Sequence, residues 1–93
     1  MAYSGQKTVT TAGTAVALGT AAIAGPIMVK AIDTNTGVIA IGNDGADDVT
    51  VNNGLRLLGG ESVVFSYLDS LASLYIDSTE DGEGVSWIML GIT

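Results

Sequence analysis

Apolar and polar residues alternate with a period of two over much of the second half of the chain. In residues 62–68, Val63, Phe65 and Tyr67 fall on one face, and Val64, Ser66 and Leu68 fall on the other. This period, with its β-branched and aromatic residues, predicts a strand. Leu74 and Ile76 alternate with Tyr75 and predict a second, shorter strand.

The last strand predicted in this region has apolar residues on both of its faces. Val85, Trp87 and Met89 alternate with Ser86, Ile88 and Leu90, and the polar segment 77–84 precedes them. A strand with two apolar faces is typical of a central position in a sheet, or of a strand that is covered on its second side. The segment 77–84 is predicted to be a loop.

The first half predicts further short strands separated by turn residues. Strands are expected at 6–12, 14–19, 26–32 and 38–41. Residues 49–51, inside the polar segment 43–54, and residues 55–58 are candidates for a further short strand. Residues 20–25 are predicted to link two strands, and Pro26 to open the third, where its missing N–H is tolerated. Strands 26–32 and 38–41 are predicted to form a hairpin. The connector 69–73 is expected to hold one helical turn.

This pattern of seven or eight short strands predicts an all-β protein. Turn residues recur at the spacing typical of an antiparallel β-sandwich or a small barrel. At 93 residues the chain has the length of one domain. We expect an N-terminal arm at 1–5 and a single β-sandwich domain at 6–93.

Charge and composition exclude several classes of function. The net charge is −7, and Lys7, Lys30 and Arg56 are the only basic residues. Three scattered cations cannot displace the counterions of nucleic acid or hold an anionic membrane. No apolar run reaches the length of a membrane span, and glycines and threonines interrupt the segment 11–25, which superficially resembles a signal peptide. Few charges and few aromatic residues predict a thin core, which oligomerisation would stabilise.

The chain offers little for catalysis or metal binding. It has no His and no Cys, so the pairing of a nucleophile with a base is missing, and we expect neither an enzyme nor a cofactor. Two acidic segments are candidate Ca²⁺ loops, but neither matches the twelve-residue EF-hand pattern, which favours solvated loops. Their carboxylates are Asp44, Asp47 and Asp48 in the first, and Asp77, Glu80, Asp81 and Glu83 in the second.

Several residues are candidates for contact with a partner. Ala2, Tyr3 and Ser4 belong to the predicted arm, and Lys7 follows on a predicted edge strand, whose unpaired backbone groups can pair with another chain. Tyr75 is opposite in phase to its apolar neighbours and is expected to face outward. A carbohydrate-binding site would instead require Tyr75 and Trp87 to be exposed together in a cleft.

The order of these segments resembles the head decoration, or cement, proteins of tailed bacteriophages. The similarity spans roughly residues 13–90, and other phage structural proteins share small β-domains of this kind. The segments that carry it are GTAVAL (13–18), PIMVKA (26–31), GVIAIGN (37–43), LGGES (58–62), LASLYIDS (71–78) and GEGVSWI (82–88).

This resemblance implies a jelly-roll-like β-sandwich, often trimeric, that binds the major capsid protein on the exterior of the virion. It transfers no catalytic motif and does not identify the residues that contact the shell. Two alternatives remain open. One is a tail, collar or fibre component of the virion, and the other is a Ca²⁺- or carbohydrate-binding β-module.

Overall fold

The structure of the protein is a computed structural model that describes residues 4–43 and 54–90. This part of the chain contains eight strands and one short 3₁₀ helix. The predicted strand at 49–51 lies outside it. The strands are β1 (Ser4–Thr8), β2 (Val16–Ala17), β3 (Ala22–Ala31), β4 (Val38–Gly42), β5 (Leu55–Leu58), β6 (Ser62–Ser70), β7 (Tyr75–Ser78) and β8 (Gly84–Met89).

The eight strands form two antiparallel sheets of four. Sheet I has the order β1-β8-β3-β6, and sheet II has the order β2-β7-β4-β5. The pairings are nested: the first strand pairs with the last, the second with the seventh, the third with the sixth and the fourth with the fifth. A chain that pairs in this way is a long hairpin rolled into two facing sheets, which is the jelly-roll arrangement. The expected all-β, jelly-roll-like sandwich is therefore confirmed.

The core lies between the two sheets and consists mostly of aliphatic side chains. Sheet I contributes Ile27, Val29, Val85, Trp87 and Met89, and sheet II contributes Ile39, Ile41, Leu57 and Ile76. The predicted alternation in β8 is confirmed, because Val85, Trp87 and Met89 are buried. Its predicted central position is also confirmed, since it lies between β1 and β3. The opposite face of this strand is not covered, because Ile88 remains 48% exposed.

The position predicted for Pro26 was wrong. This proline does not open a strand but lies inside β3, which begins at Ala22 and has neighbours on both sides. A bulge makes this possible, because Ile27 pairs with Phe65 and Gly25 pairs with Leu68, so that one residue of β3 faces two of β6. Proline is tolerated in a sheet at such irregularities.

The same bulge reverses the phase of β6. Val63 and Phe65 pack against the core, but Tyr67, which was predicted to share their face, is 63% exposed. The extra residue turns Leu68 inward in its place, and Leu68 is buried. A strict period of two cannot predict this, because a bulge shifts every later residue of the strand to the other face.

The predicted hairpin between the third and fourth strands was also wrong. β3 pairs with β6 and β8, whereas β4 pairs with β5 and β7, so these neighbours in sequence belong to different sheets. The turn at 32–37 crosses between the sheets. A turn of this length can close a hairpin or connect two sheets. Only the pairing partners of β3 and β4 show which of these connections it makes.

Other boundaries differ by a few residues. β1 runs from Ser4 to Thr8 instead of 6–12, so the last two residues of the predicted arm 1–5 belong to the sheet. β2 is limited to Val16–Ala17. The predicted loop 77–84 is too long at both ends. Asp77 and Ser78 are buried in β7, and Gly84 is the first residue of β8. The helical turn expected at 69–73 is confirmed as the 3₁₀ helix Leu71–Ser73.

Candidate interaction surfaces

The outer face of sheet I carries an exposed row of apolar side chains. The strand register places Ser4 beside Ile88, Ile88 beside Met28, and Met28 beside Val64. Val64 is 50% and Ile88 is 48% exposed. Single exposed apolar residues are ordinary, but a contiguous group marks a surface for interaction. We call this group the sheet I face, defined by Met28, Val64 and Ile88.

The sheet I face carries little charge. The adjoining row across the same strands is polar and consists of Gln6, Ser86, Lys30 and Ser62. Lys30 forms an exposed ion pair with Asp33 at 3.2 Å. Asp69, near the end of β6, is the only carboxylate in the four strands of this sheet. In a chain of net charge −7, this face can therefore approach another protein with little electrostatic repulsion.

Asp81 and Glu83 of the second acidic segment bind neighbouring loops of the same molecule through their carboxylates. The Asp81 carboxylate accepts a hydrogen bond from the backbone N–H of Ala12 at 2.7 Å. The Glu83 carboxylate accepts bonds from the N–H groups of Thr36 and Gly37 at 2.7 and 2.8 Å. Both acids thus fix the turns around them. Among the described residues, no group of three or more acidic side chains is arranged to hold a metal ion.

Asp77 belongs to this system of loop contacts and is nearly inaccessible to solvent. It lies on the outer face of sheet II beside Ala40, and the two are 1% and 0% exposed. Its carboxylate accepts hydrogen bonds from the N–H of Gly13 at 3.0 Å and from the N–H of Ser78 at 2.8 Å. We infer that the loop after β1 covers this part of sheet II. This burial could not be predicted from the sequence, because an acid in a polar stretch is usually solvated.

Glu83 is expected to make the protein less stable in acid. The backbone N–H groups of Thr36 and Gly37 stabilise the charged form and lower the pKa of Glu83 below its ordinary value. Its contribution to stability is therefore complete above the unfolded-state pKa and is lost as pH falls through the lower, folded-state pKa. Thermal melts from neutral pH to about pH 3 should show Glu83→Gln less stable than the parent at neutral pH, with a difference that shrinks in acid. A difference independent of pH would contradict this role.

The predicted partner-contact residues do not form one surface. Ala2 and Tyr3 lie outside the described residues. Ser4 is exposed and lies at the edge of the sheet I face, whereas Lys7 is half-buried and lies on the inward side of β1 with Gly5. Tyr75 is half-buried on the outer face of sheet II, beside Ala17 and Gly42. Only Ser4 adjoins the exposed apolar row.

The aromatic pair that a carbohydrate site would need is separated. Trp87 is 6% exposed and points into the core from sheet I, while Tyr75 lies on the outer face of sheet II. The two side chains therefore project from different sheets, Trp87 into the core and Tyr75 away from it. No cleft is formed by these two residues.

A groove opens between the two sheets where their edge strands β5 and β6 face each other. It has a volume of about 520 Å³, and its lining includes Ile41, Leu55, Phe65, Tyr67, Leu68 and Leu74, with Asp69 and Ser73 among its polar groups. The Ser73 hydroxyl donates a hydrogen bond to the Asp69 carboxylate at 3.2 Å. We call this cavity the inter-sheet groove. Its size is within the range of ligand pockets.

Comparisons with protein-family models, with curated proteins and with solved structures found no significant match to this chain. In the described part of the chain, no helix is long and apolar enough to cross a membrane. The functional interpretation therefore depends on the fold and on the surfaces described above.

The sequence contained a signal for the sheet I face, but its location required the strand order. The two apolar faces of residues 85–90 indicated a central strand or a strand covered on its second side. Met28 and Val64, however, belong to distant segments, and the register brings them beside Ile88. Their common surface follows from β3 pairing with both β6 and β8, which periodicity alone does not predict.

Proposed function

We propose that this protein is a non-enzymatic virion structural protein that binds the outer surface of an assembled phage capsid and stabilises it. The observation that carries the proposal is the sheet I face, an exposed apolar surface on a small jelly roll. Jelly rolls occur in viral capsid proteins and in lectins, so the fold alone is compatible with several functions. The resemblance of residues 13–90 to phage decoration proteins favours the first.

The mechanism follows from the linkage between binding and stability. A protein that binds the assembled shell, and not its dissociated subunits, stabilises the shell according to its concentration and affinity. The sheet I face supplies apolar area, and its hydroxyl-bearing neighbours Ser4, Ser62 and Ser86 supply hydrogen-bonding groups for the rim of a contact. A homotrimer on the capsid would add avidity, because its three copies bind adjacent sites together.

The alternatives receive unequal support from the geometry. In the second acidic segment, the carboxylates of Asp77, Asp81 and Glu83 are engaged by backbone N–H groups of their own molecule, which disfavours Ca²⁺ binding there. The carbohydrate hypothesis is also disfavoured, because Tyr75 and Trp87 do not form the exposed cleft that it requires. A tail, collar or fibre component would share the fold and the sheet I face, and its place on the virion distinguishes it.

The proposal is tested by adding purified, tagged protein to virions of the phage whose genome carries this gene. We expect the protein to sediment with the virions, to raise the temperature at which the capsid releases its DNA, and to be located on the head by gold labelling. Labelling of the tail would favour the alternative virion component. Failure to sediment with any virion part would overturn the proposal.

The contribution of the sheet I face is tested by Ile88→Asp. A carboxylate at this half-exposed position would be desolvated in a contact, so we expect affinity for virions to fall about tenfold or more. The matched control is Leu58→Asp, which makes the same change at a residue that is 56% exposed on the outer face of sheet II. Equal losses in both variants would assign the effect to net charge instead of the face.

A further inference from the structure

The inter-sheet groove lies beside a strand edge that is open to pairing. In the described part of the chain, β6 has a hydrogen-bonded neighbour on one side only, β3, over its length from Ser62 to Ser70. Ala31 donates its N–H to the carbonyl of Glu61 at 2.9 Å. Because backbone groups alternate along an antiparallel pair, Val63 and Phe65 also direct theirs toward β3. Ser62 and Val64 direct theirs toward the free edge.

The position of the groove matches the side chains of an added strand. A strand that pairs with the free edge of β6 directs every second side chain to the same side as Val63 and Phe65, which is the inner side of the sheet. Phe65 and Leu68 line the groove from β6, and Leu55 lines it from β5 in the facing sheet. An inward side chain of the added strand would therefore enter the groove between these residues.

The charge of the site restricts its occupant. Asp69 lies at the groove and the chain carries a net charge of −7, so an acidic segment would be repelled. The lining is mostly apolar, which favours a large aliphatic or aromatic side chain over a polar one. A Lys or Arg in the same segment would complement Asp69.

We propose that the inter-sheet groove and the free edge of β6 together bind an extended segment of a partner protein, which adds as a strand and inserts a large apolar side chain. The segment lacks acidic residues and carries a basic residue near the inserted side chain. In this mode, main-chain hydrogen bonds supply affinity and the pocket supplies specificity. The inference extends the proposed function by assigning a second contact, and its test does not need the virion.

The probes are short capped peptides that alternate Thr with Leu, Phe or Trp and end in Lys. Control peptides carry Ser in place of the apolar residues. We expect amide chemical-shift changes at Ser62, Val64 and the groove residues with the apolar peptides only. The absence of such changes with every apolar peptide would overturn the proposal.

Two substitutions separate the groove from the strand edge. Leu55→Asp places a carboxylate in the groove, and Leu58→Asp is its control on the same strand, at a similarly exposed residue that does not line the groove. Val64→Pro removes a backbone N–H that points away from β3, and Val64→Thr is its control. We expect Leu55→Asp and Val64→Pro each to weaken peptide binding about tenfold or more, and both controls to retain it.

Other occupants give different results. A wild-type dimer that Val64→Pro abolishes, without peptide binding, would identify a second copy of the chain and overturn the proposal. Peptide binding that appears only when residues 44–53 are replaced by a Gly–Ser linker would identify that segment as the occupant, with the same consequence. If neither Leu55→Asp nor competing peptide reduces virion binding, the proposed function would stand and the groove site would be overturned. If the protein binds peptide but not virions, the groove site would stand and the proposed function would be overturned.

Discussion

Replacing Gly84 with alanine is expected to separate β1 from sheet I and to lower the free energy of unfolding by about 3 kcal/mol. A Cβ atom at this position would clash with the backbone carbonyl oxygen of Lys7 and would lie 2.6 Å from the Cα of Thr8. Both are main-chain atoms, so no rotation of a side chain relieves the clash. Equilibrium denaturation measures the loss, and hydrogen exchange should show deprotection of residues 4–8.

The matched control for this substitution is Gly82→Ala in the loop just before it. A Cβ atom at Gly82 would meet nothing within 4 Å, but its φ of +79° is unfavourable for alanine. We therefore expect a cost of about 1 kcal/mol from backbone strain, with protection of β1 retained. If both variants lose equal stability and Gly84→Ala keeps β1 protected, then steric exclusion at Gly84 is not what holds β1 in place.

Truncating Trp87 to alanine is expected to cost about 3–5 kcal/mol, a large part of the stability of a domain this size. Trp87 is the chain's only tryptophan and is 6% exposed. Its indole lies over Gly5, where an added Cβ atom would be 3.0 Å from the ring carbon Cζ2. The ring therefore fills the space that β1 leaves by having no side chain there, and its removal creates a cavity between β1 and the core.

The control for Trp87→Ala is Tyr67→Ala, a truncation of another aromatic residue in the same sheet. Tyr67 is 63% exposed, so its loss should change stability by about 0.5 kcal/mol or less. Denaturant midpoints of the two variants measure the contrast. Similar midpoints would mean that Trp87 is not a central packing residue.

The parts of the fold that were predicted are those determined by local alternation. The inward faces of β7 and β8 follow from period-two patterns whose neighbours continue without interruption. The central position of β8 follows from its two apolar faces. The nested strand order does not follow from any local pattern, because both partners of β3, the strands β6 and β8, lie far from it in sequence.

The errors concern residues at which local chemistry allows more than one outcome. Pro26 is compatible with the start of a strand or with a bulge, and Tyr67 changed face because that bulge adds one residue to β6. Asp77 was expected in a solvated loop, but it is buried because the N–H groups of Gly13 and Ser78 satisfy its carboxylate. Its donor on Gly13 is 64 residues away. Such partners appear only when the sheets are assembled.

The candidate surfaces were predicted only in part. Ser4 adjoins the sheet I face, and the two apolar faces of residues 85–90 predicted either a central strand or one covered on its second side. The inter-sheet groove had no signal, because Leu55, Phe65 and Leu74 come from three segments that each look like ordinary core strands. A groove at the edge of two sheets depends on the distance between those edges. Residue types along the chain do not predict this distance.

The nested pairing of the strands has a consequence for the order of events during synthesis. β8 pairs with both β1 and β3, and it is the last of the eight strands to leave the ribosome. Until residues 84–89 emerge, sheet I lacks its centre, and the edges of β1 and β3 that pair with β8 have no hydrogen-bonded neighbour. Contacts this distant in sequence also make folding slow. The nascent chain therefore remains exposed to chaperones and proteases until β8 completes sheet I, and removal of residues 84–89 should leave no stable domain.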